Sequence, residues 1–375
     1  RDYYASRGLG DVYKRQRQSQ TPDEQTAASS GKMSGVAPDK TLGHTSVIDI
    51  NAEKEYEEMQ LVHTAEHTRA YIKIQDGCNQ FCSYCVIPYA RGRVRSRKPE
   101  QVEEEVRRLA EAGYHEIVLT GIHLSSYGLD FHGESYNTAG GQGNEQELLR
   151  LIERIHAVDG ITRIRLGSLE PRVITEAFAG ALAALPKVCP HFHLSLQSGC
   201  DGVLKRMNRR YTTEEFARSV EILRRVYEHP AITTDVITGF PGETEEEFAQ
   251  TVSYLEKIRF FEMHVFPYSR REGTVAADMP GQLTEKEKKQ RSSVLLAMTA
   301  RHSKEYREYY IGKEQEVLFE QCHEIEGRQY LTGHTRNYVR VAVPVEGIDP
   351  AEMTNQERIC CLTGFADDET LLGTY

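Results

Sequence analysis

No apolar run in this 375-residue chain approaches the ~18 residues of a membrane-spanning helix. No charged, then apolar, then small-residue succession of a secretory signal opens it either. A disulfide framework is also missing. Five of the eight cysteines, Cys189, Cys200, Cys322, Cys360 and Cys361, are scattered, which suits a reducing compartment and burial as small apolar side chains. The cytoplasm is the expected location. Positive charge is short as well: a formal net charge of -10 excludes a surface that binds nucleic acid everywhere, because phosphate neutralisation takes clustered Lys and Arg. Any RNA contact must come from local basic patches. What remains, 39% hydrophobic and 27% charged residues, is a soluble globular composition long enough for two or three domains of ~100–200 residues each.

The remaining three cysteines are clustered. Cys78, Cys82 and Cys85 form a C-x3-C-x2-C set, and three thiolates on one short loop suit an iron-sulfur cluster. Zinc asks for four ligands in a closed tetrahedron, and no fourth Cys or His stands at zinc-ribbon spacing. A four-iron cluster on three cysteines keeps one iron free of protein, which is where a reactant can bind. Arg91, Arg93, Arg95, Arg97 and Lys98 follow directly. A charge run is often only a solvated face, but beside a reactive site in an acidic chain it is expected to position phosphates. The Arg209-Arg210 pair is expected to extend it.

Periodicity predicts an α/β fold. Strand-like runs at 70–74, 116–120, 163–166, 191–196, 233–238 and 263–266 alternate with amphipathic helices, the pattern of a parallel sheet of beta-alpha units. Six units are too few for an eight-fold barrel, so a partial barrel is expected. A helix from Pro99 to Ala112 has Pro in its first turn and Gly113 beyond its end. Capping boxes are predicted at Thr212 to Glu215, Thr244 to Glu247 and Thr284 to Glu287, the last opening a long charged helix that Gly312 ends. A Gly-rich segment at 137–144 reads as a surface loop. Beyond Lys313 short beta-prone runs separated by Gly, Asn and Pro predict a small all-β barrel. Residues 1–16 look like a translated sequencing adapter, and residues 17–66 read as linker. If the first strand belongs to a barrel-like sheet, the cysteine loop leaves its C-terminal end, the rim where such barrels place their chemistry.

The cysteine spacing, with an aromatic before the last Cys, resembles the signature of the radical S-adenosylmethionine superfamily. The longer string IQDGCNQFCSYCVIPYARGR at 74–93 is similar to its methylthiotransferase branch. LTGIHL at 119–124 resembles the MtaB type, which modifies threonylcarbamoyladenosine in tRNA, and the likeness extends over residues 68–375. It implies a radical SAM catalytic domain at 67–311, a six-unit partial (β/α) barrel, followed by a TRAM-like β domain at 312–375. It further implies that Cys78, Cys82 and Cys85 ligate a 4Fe-4S cluster whose open iron holds S-adenosylmethionine, with a reducing partner protein supplying the electron. The expected product is a tRNA methylthiolated at carbon-2 of the modified adenosine beside the anticodon. Siblings of the same chemistry act on isopentenyladenosine in tRNA or on a ribosomal-protein aspartate. A reading of another class is a non-catalytic RNA-binding protein with a structural metal site.

The supporting residues follow the strands. The resemblance places Tyr84 near the cofactor adenine, the alternative being a surface aromatic. Thr120 and Gly121 end the second strand, where glycine lets a ligand approach the backbone. Ser168 and Glu170 after the third strand, with Gln197 and Ser198 after the fourth, each read alone more often as a cap or a solvated residue, but the expected alignment of all four on one face points to bonds with the cofactor. Asp235 and GFPGET at 239–244 close the fifth strand as both turn and pocket wall, and FPYSR at 266–270 has the same double status. In the β domain, GHTRNY at 333–338 offers Arg336 and Tyr338 to RNA. Its 5 basic against 12 acidic residues from Lys313 on are a poor electrostatic footprint for that task.

Methylthiotransferases also hold an auxiliary 4Fe-4S cluster on three N-terminal cysteines, used for sulfur delivery, whereas no cysteine precedes Cys78 here. A truncated chain is therefore expected, able to cleave S-adenosylmethionine but not to insert sulfur.

Overall fold

The computed structural model describes residues 68–132, 145–347 and 349–375, together with Ile50, Glu53 and Tyr56. Residues 1–16, most of 17–66 and the Gly-rich segment at 137–144 lie outside the described residues. In chain order the strands are β1 (Arg69–Asp76), β2 (Arg95–Ser96), β3 (Glu116–Gly121), β4 (Arg163–Leu166), β5 (His191–His193), β6 (Ala231–Thr238), β7 (Glu262–Pro267), β8 (Glu314–Ile325), β9 (Arg328–Thr335), β10 (Arg340–Pro344), β11 (Glu357–Phe365) and β12 (Leu371–Thr374). The helices are α1 (Ile87–Ala90), α2 (Pro99–Glu111), α3 (Glu145–His156), α4 (Glu176–Ala183), α5 (Asp201–Arg206), α6 (Thr213–Val226), α7 (Glu245–Ile258), α8 (Glu285–Glu308) and α9 (Pro350–Met353).

Six parallel strands form a curled half-barrel. β1, β3 and β4 are neighbours, β5, β6 and β7 are neighbours, and single bridges from Ile164 to Val188 and from Leu169 to Leu194 carry β4 over to β5. The alternation of each strand divides its side chains between two faces. On β6, Ile232 and Val236 enter the main core with Phe216, Val220 and Leu255 of the flanking helices. Asp235 therefore points to the opposite, concave face. All three predicted capping boxes are closed in both directions, at Thr212, Thr244 and Thr284, each removing two unsatisfied amides from a helix start.

After α8, Gly312 turns with φ +82° and its amide donates to Leu362 O at 2.6 Å, which joins the helix to a closed barrel ordered β10-β12-β11-β8-β9. The barrel is not purely β, since Asp349 caps the short helix α9. Its core of Val317, Phe319, Leu331, Val341 and Leu362 continues into Ala231 and Phe261 of the half-barrel. A buried ionic layer backs this apolar seam. Glu116, fully buried on β3, receives Arg69 Nε and Arg165 Nε at 2.8 Å each, with Arg163 Nη1 at 3.9 Å. Burial works against its charge, but Arg165, Arg69 and Arg163 outweigh it and hold the carboxyl at about 2. Arg163 and Arg165 then reach across to the barrel, donating to His334 O at 2.9 Å and Thr335 O at 2.8 Å.

Candidate functional site

The cysteine loop leaves β1 at the C-terminal rim of the half-barrel and returns through α1 and β2, with Asp76 paired to Arg95. Its conformation is set by close backbone contacts. Gly77 has φ +70°, and a Cβ there would lie 1.8 Å from Arg93 O, so only glycine fits. Cys78 N donates to Gly92 O at 3.1 Å. Ser83 binds Met207 O through its amide at 3.0 Å and Arg206 O through its hydroxyl at 2.8 Å, and Asn208 Nδ2 donates to Phe81 O at 2.9 Å. The loop is thus tied to the segment after α5, more than 120 residues away in sequence.

The three thiols are unpaired, and N–H groups address two of the sulfurs. Gln80 N lies 3.5 Å from Cys78 Sγ, and Arg209 Nη1 lies 3.4 Å from Cys82 Sγ. Burial raises the Cys78 thiol to about 11 and raises Cys85 as well. Arg209 is fixed by Ser195 O at 3.1 Å and Tyr211 Oη at 2.8 Å. Sequence reasoning sent Arg209 outward to phosphate; the fold turns it inward to the sulfurs, because the chain after α5 runs beneath the loop. Three soft sulfur donors, with a backbone N–H on one and a guanidinium N–H on another, fit a 4Fe-4S cluster, whose potential responds to such hydrogen bonds.

The expected cofactor residues separate. Tyr84 packs with Cys200, Met207, Phe240 and Tyr268, so it is not a loose surface aromatic. Thr120 Oγ1 donates to Ile72 O at 3.2 Å. Gly121 is explained by a neighbour in the chain, since a Cβ would meet Gln75 Oε1 at 3.0 Å. Glu170 is buried in the concave face, 3.6 Å from His123 Nε2. Burial opposes its charge, and His123 and Arg172 keep the carboxyl below its usual range. Burial conversely lowers His123, whose Nδ1 pairs with Ser126 Oγ at 2.6 Å. Ser168 is exposed. Gln197 takes a left-handed φ of +71° and bridges to β6 through its backbone. Ser198 turns away from the concave face, fully buried against Thr251 of α7 at 3.3 Å, so the four polar residues do not share one face as expected. Asp235 lies on the concave face, 3.3 Å from His193 Nε2.

The basic block divides in the same way. Arg91, Arg93 and Lys98 are exposed, and Arg93 lies over the Phe81 ring at 4.6 Å. Arg95 and Arg97 are buried. Arg95 donates to Arg91 O and Arg93 O at 3.0 and 3.2 Å, and Arg97 pairs with Glu105 of α2 at 2.5 Å. These two brace the return strand, so of the five only Arg91, Arg93 and Lys98 are exposed. Arg336 binds Pro186 O and Thr162 O. Tyr338 is stacked on His191 and His334, with the guanidiniums of Arg69 and Arg165 over its ring. Both are part-exposed and engaged in the seam between half-barrel and barrel.

Sequence reasoning passed over Gln75. It is fully buried, donates to Asp76 O and Gly77 O at 2.6 and 2.7 Å, and accepts His123 N at 2.9 Å, so one amide locks the loop to the end of β3. Of the other cysteines, Cys189, Cys200 and Cys360 are buried as expected, whereas Cys322 is exposed and Cys361 half-exposed.

A half-barrel that presents three thiols on the loop after its first strand defines a radical S-adenosylmethionine domain. Residues 72–255 match the Radical SAM superfamily, so the chain carries a Radical SAM domain over those residues. It is 42% identical over 297 residues to the threonylcarbamoyladenosine tRNA methylthiotransferase MtaB of Bacillus subtilis, covering 79% of this chain and 63% of that protein. It is 41% identical over 276 residues to the MtaB of Thermotoga maritima, covering 73% and 60%. It is likewise 42% identical over 259 residues to the tRNA-2-methylthio-N(6)-dimethylallyladenosine synthase of Pelotomaculum thermopropionicum, covering 69% and 55%. The chain thus spans about three fifths of the length of these curated relatives. Among the described residues no helix is long and apolar enough to cross a membrane.

Proposed function

We propose that this chain carries out the radical step of tRNA methylthiolation at carbon-2 of N6-threonylcarbamoyladenosine beside the anticodon. The observation that carries the reading is the cysteine loop, with Cys78, Cys82 and Cys85 gathered at the strand-end rim and Arg209 aimed at Cys82. These three cysteines would hold a 4Fe-4S cluster, which would supply the one electron for reductive cleavage of S-adenosylmethionine into methionine and the 5'-deoxyadenosyl group.

The chain's own residues supply position and polarity. Arg209 offsets negative charge on the thiolates, and Gln75 fixes the loop against β3. Tyr84 borders the loop on its apolar side, where a nucleoside ring can lie. Arg91, Arg93 and Lys98, exposed on the same segment, meet tRNA phosphates, a contact that positions rather than specifies.

Two substrates compete, and the concave face favours one. It holds His123, Glu170, His193 and Asp235, a polar surface suited to the hydroxy-acid threonylcarbamoyl group and unsuited to a dimethylallyl chain, which would leave these groups unpaired. The reading also takes in a protein electron donor and a cytoplasmic setting. The test is 5'-deoxyadenosine formation by the anaerobically reconstituted chain under reduction. tRNA bearing threonylcarbamoyladenosine should stimulate it several-fold more than tRNA bearing dimethylallyladenosine. Equal stimulation, or the reverse order, would refute the substrate assignment, and one bound zinc with no cleavage would refute the enzyme.

A further inference from the structure

The concave face of β5, β6 and β7 carries a constellation that the cysteine loop does not use. His193, Asp235 and His264 come from three adjacent parallel strands, and one donor atom from each lies within 4.8 Å of the other two. Register produces the meeting. Asp235 is directly opposite His264, and His193 is opposite Thr233, two residues before Asp235 on the same face of β6. His193 Nε2 stands 3.3 Å from Asp235 Oδ2, and the His193 and His264 rings are 5.8 Å apart and inclined by 29°.

The imidazole of His193 is oriented from behind. Its Nδ1 lies 3.0 Å from Thr233 Oγ1. With Nδ1–H donating to that hydroxyl, Nε2 keeps its lone pair towards Asp235 and His264. Metal-ligating histidines are held in this manner, the far nitrogen engaged by a neighbouring acceptor that fixes tautomer and ring angle. Access is open, since Asp235 is part-exposed and His264 exposed. An ordinary His-Asp ion pair accounts for His193 and Asp235 but gives no role to a second imidazole brought onto the same point.

We propose that His193, Asp235 and His264 bind one divalent transition-metal ion, of the zinc or ferrous class, on the concave face of the half-barrel. Two imidazole nitrogens and one carboxylate oxygen on one side make a three-ligand face with the remaining positions open to an oxygen donor. Nitrogen-rich ligation disfavours magnesium and calcium, which take oxygen ligands, and the lack of sulfur disfavours cuprous copper. This assigns Asp235 to a metal rather than to S-adenosylmethionine. The proposal shares His193 and Asp235 with the concave surface read above as suited to the threonylcarbamoyl group, but metal uptake is measured without tRNA, so the two readings fail separately.

The test uses the full chain with its iron-sulfur cluster reconstituted anaerobically, so that the cysteines are occupied, then titrated with cobalt(II) and with zinc. One cobalt per chain should bind in addition to the cluster iron, with visible bands of nitrogen and oxygen ligation and no thiolate charge-transfer band. H264A, a change at an exposed side chain, should weaken zinc binding at least tenfold while iron content stays unchanged. H193A and D235N should do the same, and zinc should raise the melting temperature of the unsubstituted protein but of none of the three variants. The proposal falls if the unsubstituted protein takes up no zinc or cobalt, if H264A and H193A bind as well as it does, or if a thiolate band places the cobalt on the cysteines.

Discussion

The Nη1 of Arg209 lies 3.4 Å from the Sγ of Cys82, 127 positions earlier in the chain. A permanent positive charge therefore stands beside the sulfur set that carries the proposed chemistry. Hydrogen bonds to cluster sulfurs and local charge are two of the levers that set an iron-sulfur potential. In R209Q the cluster should assemble with unchanged iron content, but its midpoint should shift to more negative values in a redox titration followed by electron paramagnetic resonance. A charge-assisted hydrogen bond contributes roughly 1.5–3 kcal/mol, so 5'-deoxyadenosine formation should fall about tenfold or more. R209K should recover part of the loss.

Replacing any one of Cys78, Cys82 or Cys85 with Ala should abolish stable cluster incorporation, read as iron and sulfide per chain, and with it cofactor cleavage. C322A, at an exposed thiol, should change neither.

Gly77 has no tolerated substitute. G77A drives a Cβ to within 1.8 Å of the Arg93 carbonyl at φ +70°, so the loop must open, and iron incorporation should be lost. The half-barrel core lies elsewhere, and circular dichroism should remain that of the folded chain.

The outer and inner arginines of the basic block should behave differently. R91A and R93A, at exposed side chains, should weaken tRNA binding and make it less sensitive to salt. The slope of log affinity against log salt should become shallower by ~0.7–0.9 for each phosphate that is no longer neutralised. R97A removes the partner of buried Glu105 and should instead destabilise the fold by roughly 3–5 kcal/mol, read by urea denaturation.

The seam between half-barrel and barrel should open in acid. Glu116 titrates at about 2 in the folded chain, against an ordinary value of 4.5. The stability it contributes is complete above the ordinary value and is lost as pH falls from there towards 2. Limited proteolysis between pH 5 and pH 2.5 should show the barrel releasing before the half-barrel unfolds. E116Q, which leaves Arg69 and Arg165 facing an uncharged amide, should bring the release to neutral pH.

Much of this fold was legible in sequence because its signals are local. Alternation of apolar residues placed the strand from Arg163 to Leu166 at its observed limits and the other five within a few residues. The three capping boxes were readable because Thr and Glu three positions apart satisfy each other's helix-start amides without outside help. The strand 328–335 was harder to see, since Arg328–Thr335 mixes polar residues with few apolar ones and owes its pairing to β8 and β10. The short helix α9 rests on a single Asp cap and carries no periodicity to detect.

The site divides along the same physical line. Chemistry that depends on spacing within one loop was determined by sequence alone: three thiols at fixed intervals, glycines beside them and arginines after. Which of those arginines face solvent was decided by the fold, because β2 pairs with β1 and turns Arg95 and Arg97 inward. Tyr338 reads in the sequence as a stacking face for RNA, yet its ring is stacked on His334 of its own barrel and, once the barrel docks, on His191 of β5. The inward role of Arg209, the lock made by Gln75 and the His193, Asp235, His264 group gave no signal at all. Their partners are dozens to more than a hundred residues distant, and a hydrogen bond or a ligand set across that separation exists only once strand register and loop closure have brought the chain segments together.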